Sequence, residues 1–102
     1  MDGFHYYRHE LDKFDDPVEA HARRGAAFTF DSQYFVDSVA KAKDVGHGMF
    51  PDFDHATADP EQNKISFDQD IHKVVFVEGL YVLLDKQPWS DLHQKFDMTY
   101  FV

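Results

Sequence analysis

Two carboxylates in this chain stand immediately before a glycine, each where an apparent strand gives way to a turn: Asp2 in Met1-Asp2-Gly3-Phe4-His5, and Glu78 in Val74-Val75-Phe76-Val77-Glu78-Gly79. In open α/β sheets ligands bind beyond the carboxyl ends of strands, and a glycine there lets the main chain turn sharply beside the reacting group. Paired carboxylates in such positions suit phosphoryl transfer to an alcohol. One accepts the hydroxyl proton, and the other helps hold the magnesium ion that bridges the phosphates. Spacing alone does not make the two converge, and Glu78 has a plainer reading as the polar end of an edge strand or the cap of a turn.

Other chemistries find less support. Of the seven histidines, His5 and His9 are four apart and can share a helix face, but no third ligand follows at a telling spacing, so the pair reads as coincidence. Asp52, Asp54, Asp59 and Glu61 only loosely imitate a calcium loop: Thr57 stands where that loop needs glycine, and Asn63 where it needs glutamate. None of Ser32, Ser38, Ser66 or Ser90 lies in a nucleophile elbow. The absence of cysteine excludes disulfides, thiol catalysis and cysteine-ligated zinc. With 19 acidic against 10 basic residues the net charge is -9, which repels phosphate backbones and anionic membranes, so neither nucleic acid nor membrane is an expected partner. No basic-then-apolar leader and no long apolar run occurs, and a cytoplasmic setting is the expectation.

The elements that must position these groups can be read from periodicity and caps. At 102 residues, 17% of them aromatic, the chain reads as one globular domain, yet it is short for a nucleotide-dependent enzyme, which commonly needs about 150. Tyr6 to Asp15 reads as a loop or irregular helix. Asp16, Pro17 and Glu19 mark a helix start, and that helix ends near Gly25 with Arg23 and Arg24 in its last turn, where they complement the helix dipole. Asp31 or Ser32 caps a second helix reaching about Lys43, with Phe35, Val36, Val39, Ala40 and Ala42 at helical spacing and Gly46 as its stop. Met49 to Phe53 is a short extended stretch in which Pro51 argues for an edge or strand end. Asp54 to Asn63 reads as an acidic loop and Ile65 to Phe67 as a small strand. The apolar run from Val74 suits a strand buried on both faces. A helix starting at Pro88, with Trp89, Leu92 and Phe96 on one side, and a strand over Met98 to Val102 complete a βαβ unit with a parallel sheet.

Ordered blocks over nearly the whole chain resemble the P-loop small-molecule kinases of the uridine kinase, pantothenate kinase and phosphoribulokinase group, and within it the uridine-kinase-like branch. They are Met1 to His5; Ala22 to Asp31; Phe50 to His55; Asp59 and Pro60; and Val77 to Asp85 with Trp89 and Leu92. The resemblance implies an α/β fold, ATP and Mg2+ as cofactors, and a small-molecule acceptor such as a nucleoside, pantothenate or a sugar. It implies Asp2 as the general base and Glu78 as the acid that supports Mg-ATP. It places Phe4, Arg23, Arg24, His55 and Tyr81 on the acceptor. Ala27 stands where the family pattern has proline.

One departure is large. The phosphate-cradling motif G-x-x-x-x-G-K-[ST] occurs nowhere in the 102 residues, nor does the family's later arginine-bearing lid. The expected fold is therefore a partial parallel-sheet P-loop kinase core that lacks the phosphate-loop strand and the lid, with residues 1–102 an internal segment of a kinase domain. Its exposed strand edges would offer a route to self-association. The alternative is a catalytically inactive kinase-derived binding or regulatory module.

Overall fold

The computed structural model describes residues 1–102. Its regular elements are three α-helices, α1 (Arg8–Leu11), α2 (Pro17–Ala22) and α3 (Ser32–Val45), and two strands, β1 (His47–Asp54) and β2 (Asp59–Asp68). Short 3-10 helices span Asp2–Phe4, Ala27–Thr29 and Trp89–Lys95. No helix is long and apolar enough to cross a membrane.

The helix boundaries follow from their caps. Asp16 accepts from the main-chain N–H of Glu19 at 3.1 Å with Pro17 in the first turn, and Asp31 accepts from Tyr34 at 3.1 Å. α3 ends as expected at Gly46, whose φ of +85° suits a residue without Cβ and whose N–H donates to Ala42. Phe35 and Val36 from α3 join Phe4, Phe30, Val82, Trp89 and Leu92 in the core. Trp89 and Leu92, three residues apart on their 3-10 helix, present one face to it. Lys43 reaches the Lys95 carbonyl and Asp97, and Lys95 pairs with Asp44 at 2.9 Å, which fastens that helix to the end of α3.

The α/β class and the partial core stand, but the sheet differs from the expected one. The only sheet is an antiparallel hairpin, in which His47 faces Asp68 and Asp54 faces Asp59. The acidic stretch expected as a loop is mostly hairpin, with only residues 55–58 turning. Pro51 sits at the break in register between Phe50 and Asp52, where its missing N–H costs no ladder bond. The runs expected as buried parallel strands, Val74 to Val77 and Met98 to Val102, form no strand and make no main-chain hydrogen bond, and Phe76 is 89% exposed. A strand needs a neighbour for its N–H and C=O groups, and none lies beside these runs. Of the apolar segment that begins at Val74, Val82 alone is fully buried, while Val77, Tyr81 and Leu83 pack partly buried against the core.

Candidate functional site

The Asp2 turn is built to be rigid. Phe4 accepts from the Asp31 N–H at 2.8 Å and Tyr6 donates to Thr29 at 2.9 Å, so the chain leaving the turn pairs antiparallel with the segment before α3. Gly3 backs directly onto β1. A Cβ there would stand 2.1 Å from the Pro51 carbonyl oxygen, so glycine is required by a close main-chain approach. Asp2 itself is exposed at the corner of this turn. The main-chain nitrogen of Met1 donates to the carbonyl oxygen of Glu78 at 2.8 Å, which sets the two carboxylate-bearing turns side by side. The Glu78 side chain points into solvent, 85% exposed.

His5, which sequence reasoning passed over except as half of a metal pair, lies within this neighbourhood. Its Nδ1 is 2.7 Å from the Asp2 carbonyl oxygen, and its ring packs 4.0 Å from Phe30 and 5.0 Å from Phe53. Burial lowers the pKa of the imidazole; the bond to Asp2 pulls the other way, and the positive charge of Arg24 lowers it further. His55 also packs against Phe53, 5.0 Å between ring centres, and is exposed. It borders an open cleft of about 420 Å³ lined by Asp52, Phe53, Asp54, His55, Glu61 and Lys64. The signal for His5 was available: a histidine three residues after a candidate base in a single turn shares its face.

Three of the expected acceptor residues make structural contacts. Phe4 is 5% exposed, packed edge-on against Phe35 and Tyr34, so its ring belongs to the core. Arg24 is turned inward: it donates to the carbonyls of Ala58 and Tyr6 and to the Asp59 carboxylate, over the face of Phe53. Burial pushes the Asp59 carboxyl up, but hydrogen bonds from the Arg8 main chain and from Arg24 outweigh it and hold the group below the usual carboxylate range. Tyr81 donates its hydroxyl to the Gly25 carbonyl at 3.0 Å and packs between Phe30 and Trp89. Arg23, at the end of α2, is exposed and pairs with Glu19 at 3.3 Å.

The residues present do not by themselves fit a nucleotide with its metal. No phosphate-cradling motif is in the sequence, and no group of three His, Cys, Asp or Glu side chains is placed to hold a metal ion. What the arrangement offers is an exposed carboxylate on a fixed turn, backed by an imidazole and flanked by an aromatic hairpin.

No family model matches the sequence. The chain is 40% identical over 104 residues to "Putative uridine kinase C227.14" of Schizosaccharomyces pombe, with all of this chain and 44% of that protein aligned. It is 36% identical over 107 residues to "ATP-dependent kinase-like protein notR'" of Aspergillus versicolor, again along its whole length and over 62% of the relative. The chain thus spans less than two thirds of either. Among solved structures, YFH7 from Saccharomyces cerevisiae, described as "a putative P-loop containing kinase with a circular permutation", superposes with a TM-score of 0.78 at 30% identity, over 92% of this chain and 35% of that one. Over the segment they share, this chain is similar to uridine-kinase-like P-loop kinases.

Proposed function

We propose that these 102 residues form the acceptor side of an ATP-dependent kinase that transfers a phosphoryl group to a hydroxyl of a small molecule. The observation that carries this reading is the position of Asp2, exposed on a turn locked against β1 and beside Glu78. There it is placed to accept the proton of an acceptor hydroxyl, the role of a general base. The names of the relatives support ATP as the donor, and the acceptor classes are those the resemblance implies, a nucleoside, pantothenate or a sugar. Glu78 would be this chain's residue on the side of the Mg-ATP, the role that the resemblance implies for it.

Binding of uridine, pantothenate and D-ribose, followed through amide spectra of the chain, tests the acceptor side directly. At least one is expected to perturb Asp2, His5 and β1, and binding of none overturns the reading. The missing phosphate motif favours a second reading, a binding module without catalysis. Turnover with Mg-ATP that Asp2→Asn lowers by about a hundredfold or more supports the kinase. A chain that binds an acceptor yet shows neither turnover nor a thermal shift with Mg-ATP supports the module.

A further inference from the structure

The hairpin tip is fastened to the chain leaving the Asp2 turn, and one side chain makes most of the fastening. Arg24 Nη1 donates to the carbonyl of Ala58, while Nη2 donates to the carbonyl of Tyr6 at 2.9 Å and to Asp59 Oδ1 at 3.3 Å. Its Cζ lies 5.3 Å from the centre of the Phe53 ring. The side chain is 17% exposed, against 59% for the neighbouring Arg23. From the opposite side Asp59 accepts from the main-chain N–H of Arg8 at 2.8 Å and from its Nε at 3.4 Å. A planar guanidinium can serve two carbonyls and a carboxylate in fixed directions at once, whereas an ammonium is a single point of charge. Ala58, whose carbonyl Arg24 holds, has a φ of +57°, a conformation a residue with Cβ keeps only when its surroundings impose it.

We propose that Arg24 is a positioning residue of the acceptor site. It locks the hairpin tip to Tyr6 and so fixes where Phe53 and His55 stand relative to Asp2, without touching the acceptor. The inference rests on Asp2 facing the acceptor, as proposed above. An arginine reserved for an anionic ligand keeps its donors outward; here both terminal nitrogens are committed to the protein, and Nε is buried without a partner. Farther along β2 a separate fastening exists: Gln62 donates to the Tyr7 hydroxyl at 2.9 Å and accepts from the Tyr34 hydroxyl at 3.0 Å. Loss of Arg24 therefore loosens the tip at Ala58 and Tyr6, leaving Asp59 held by Arg8 alone and the rest of the hairpin seated.

The Phe53 ring lies 5.0 Å from both His5 and His55, so its ring current reports their relative position. Proton spectra of the unliganded full chain are compared for wild type, Arg24→Lys and Asp59→Asn. In Arg24→Lys the ring protons of both histidines and the Tyr6 amide are expected to move toward their free values. The methyl groups of Val36 and Leu92 in the core should hold their shifts. Lysine keeps the charge, so failure of this conservative variant to restore the shifts separates positioning from simple charge. Should Arg24→Lys not fold, Asp59→Asn retains both carbonyl bonds and is expected to move the same resonances in the same direction. Histidine resonances unchanged in a folded variant, together with weakened binding of inorganic phosphate, would overturn the proposal in favour of a ligand-binding arginine. The readout needs no acceptor, so a failure of the acceptor reading shows separately, as the absence of uridine, pantothenate or ribose binding.

Discussion

His5 Nδ1 stands 2.7 Å from the carbonyl oxygen of Asp2, and because a carbonyl can only accept, the imidazole must carry its proton on that nitrogen when neutral. Nε2 then faces away as an acceptor. The ring packs against both Phe30 and Phe53, so the turn that presents the candidate base also presents an oriented imidazole.

This arrangement predicts sensitivity to mild acid. The unfolded imidazole takes up a proton near 6.5, whereas the folded one, its pKa lowered by burial and by Arg24, does so only at lower pH. The unfolded state therefore binds more protons as the solution acidifies. Stability is full above 6.5 and is lost as pH falls toward the folded value. Melting temperatures at about pH 7.5 and about pH 5 should differ for the wild type, and less for His5→Asn, which keeps a donor toward Asp2 but does not titrate.

Gly3→Ala is expected to part the Asp2 turn from β1. The added Cβ would meet the Pro51 carbonyl at 2.1 Å, and main chain on both sides leaves no flexible atom to yield. A loss of about 1–3 kcal/mol in denaturant unfolding is the expected cost. Amide shifts should concentrate at Pro51's neighbours Phe50 and Asp52. A neutral substitution would mean that the turn and the hairpin are not in contact.

How much of this was legible in the sequence depends on the range of the interaction that decides each feature. Asp16 with Pro17, Asp31 and Gly46 fix helix ends through bonds spanning only a few residues, and these boundaries read correctly. The core side of α3 did as well, because Phe35 and Val36 follow the helical period. The hairpin was seen only as two fragments. Asp54, Asp59 and Pro60 look like loop residues locally, and the pairing that carries the ladder out to His47 and Asp68 is a long-range fact that composition does not carry. Val74 to Val77 has strand character but no partner, and strand formation depends on the partner. Among the site residues, Arg23 and Arg24 are equivalent in sequence. Only the fold decides that one lies along solvent and the other turns under the hairpin tip. Phe4 and Tyr81 were assigned by resemblance to the acceptor, and both are held by aromatic packing that spacing cannot reveal.

The hairpin turn contains a position where the native residue is not the best one. Ala58 adopts a φ of +57° without the freedom of glycine. Ala58→Gly relieves a left-handed conformation worth about 1–2 kcal/mol, offset in part by the greater entropy of glycine in the unfolded chain. Its main-chain carbonyl, the group Arg24 binds, is kept. A net gain of about 0.5 kcal/mol or more is expected, read as a small rise in melting temperature. A fall would show that the alanine methyl makes packing that the turn depends on.

The two apolar runs outside the sheet carry the last prediction. Phe76 is 89% and Phe101 93% exposed, and each sits in a segment whose main-chain groups are unpaired. An exposed apolar run with unpaired main-chain groups is a template for pairing with another chain, and a charge placed on it opposes that pairing by the cost of desolvation. Neither side chain packs in the core, so replacing them leaves the Phe4, Phe35 and Trp89 cluster intact. Phe76→Lys with Phe101→Glu is therefore expected to leave the melting temperature nearly unchanged. Self-association seen by sedimentation at rising concentration should fall. The net charge of -9 is the same after one cation and one anion are added, so a change cannot be ascribed to overall repulsion. Association that persists unaltered would place the contact elsewhere, with the groove between α3 and β1, where Val45 and Met49 are half exposed, the next surface to alter.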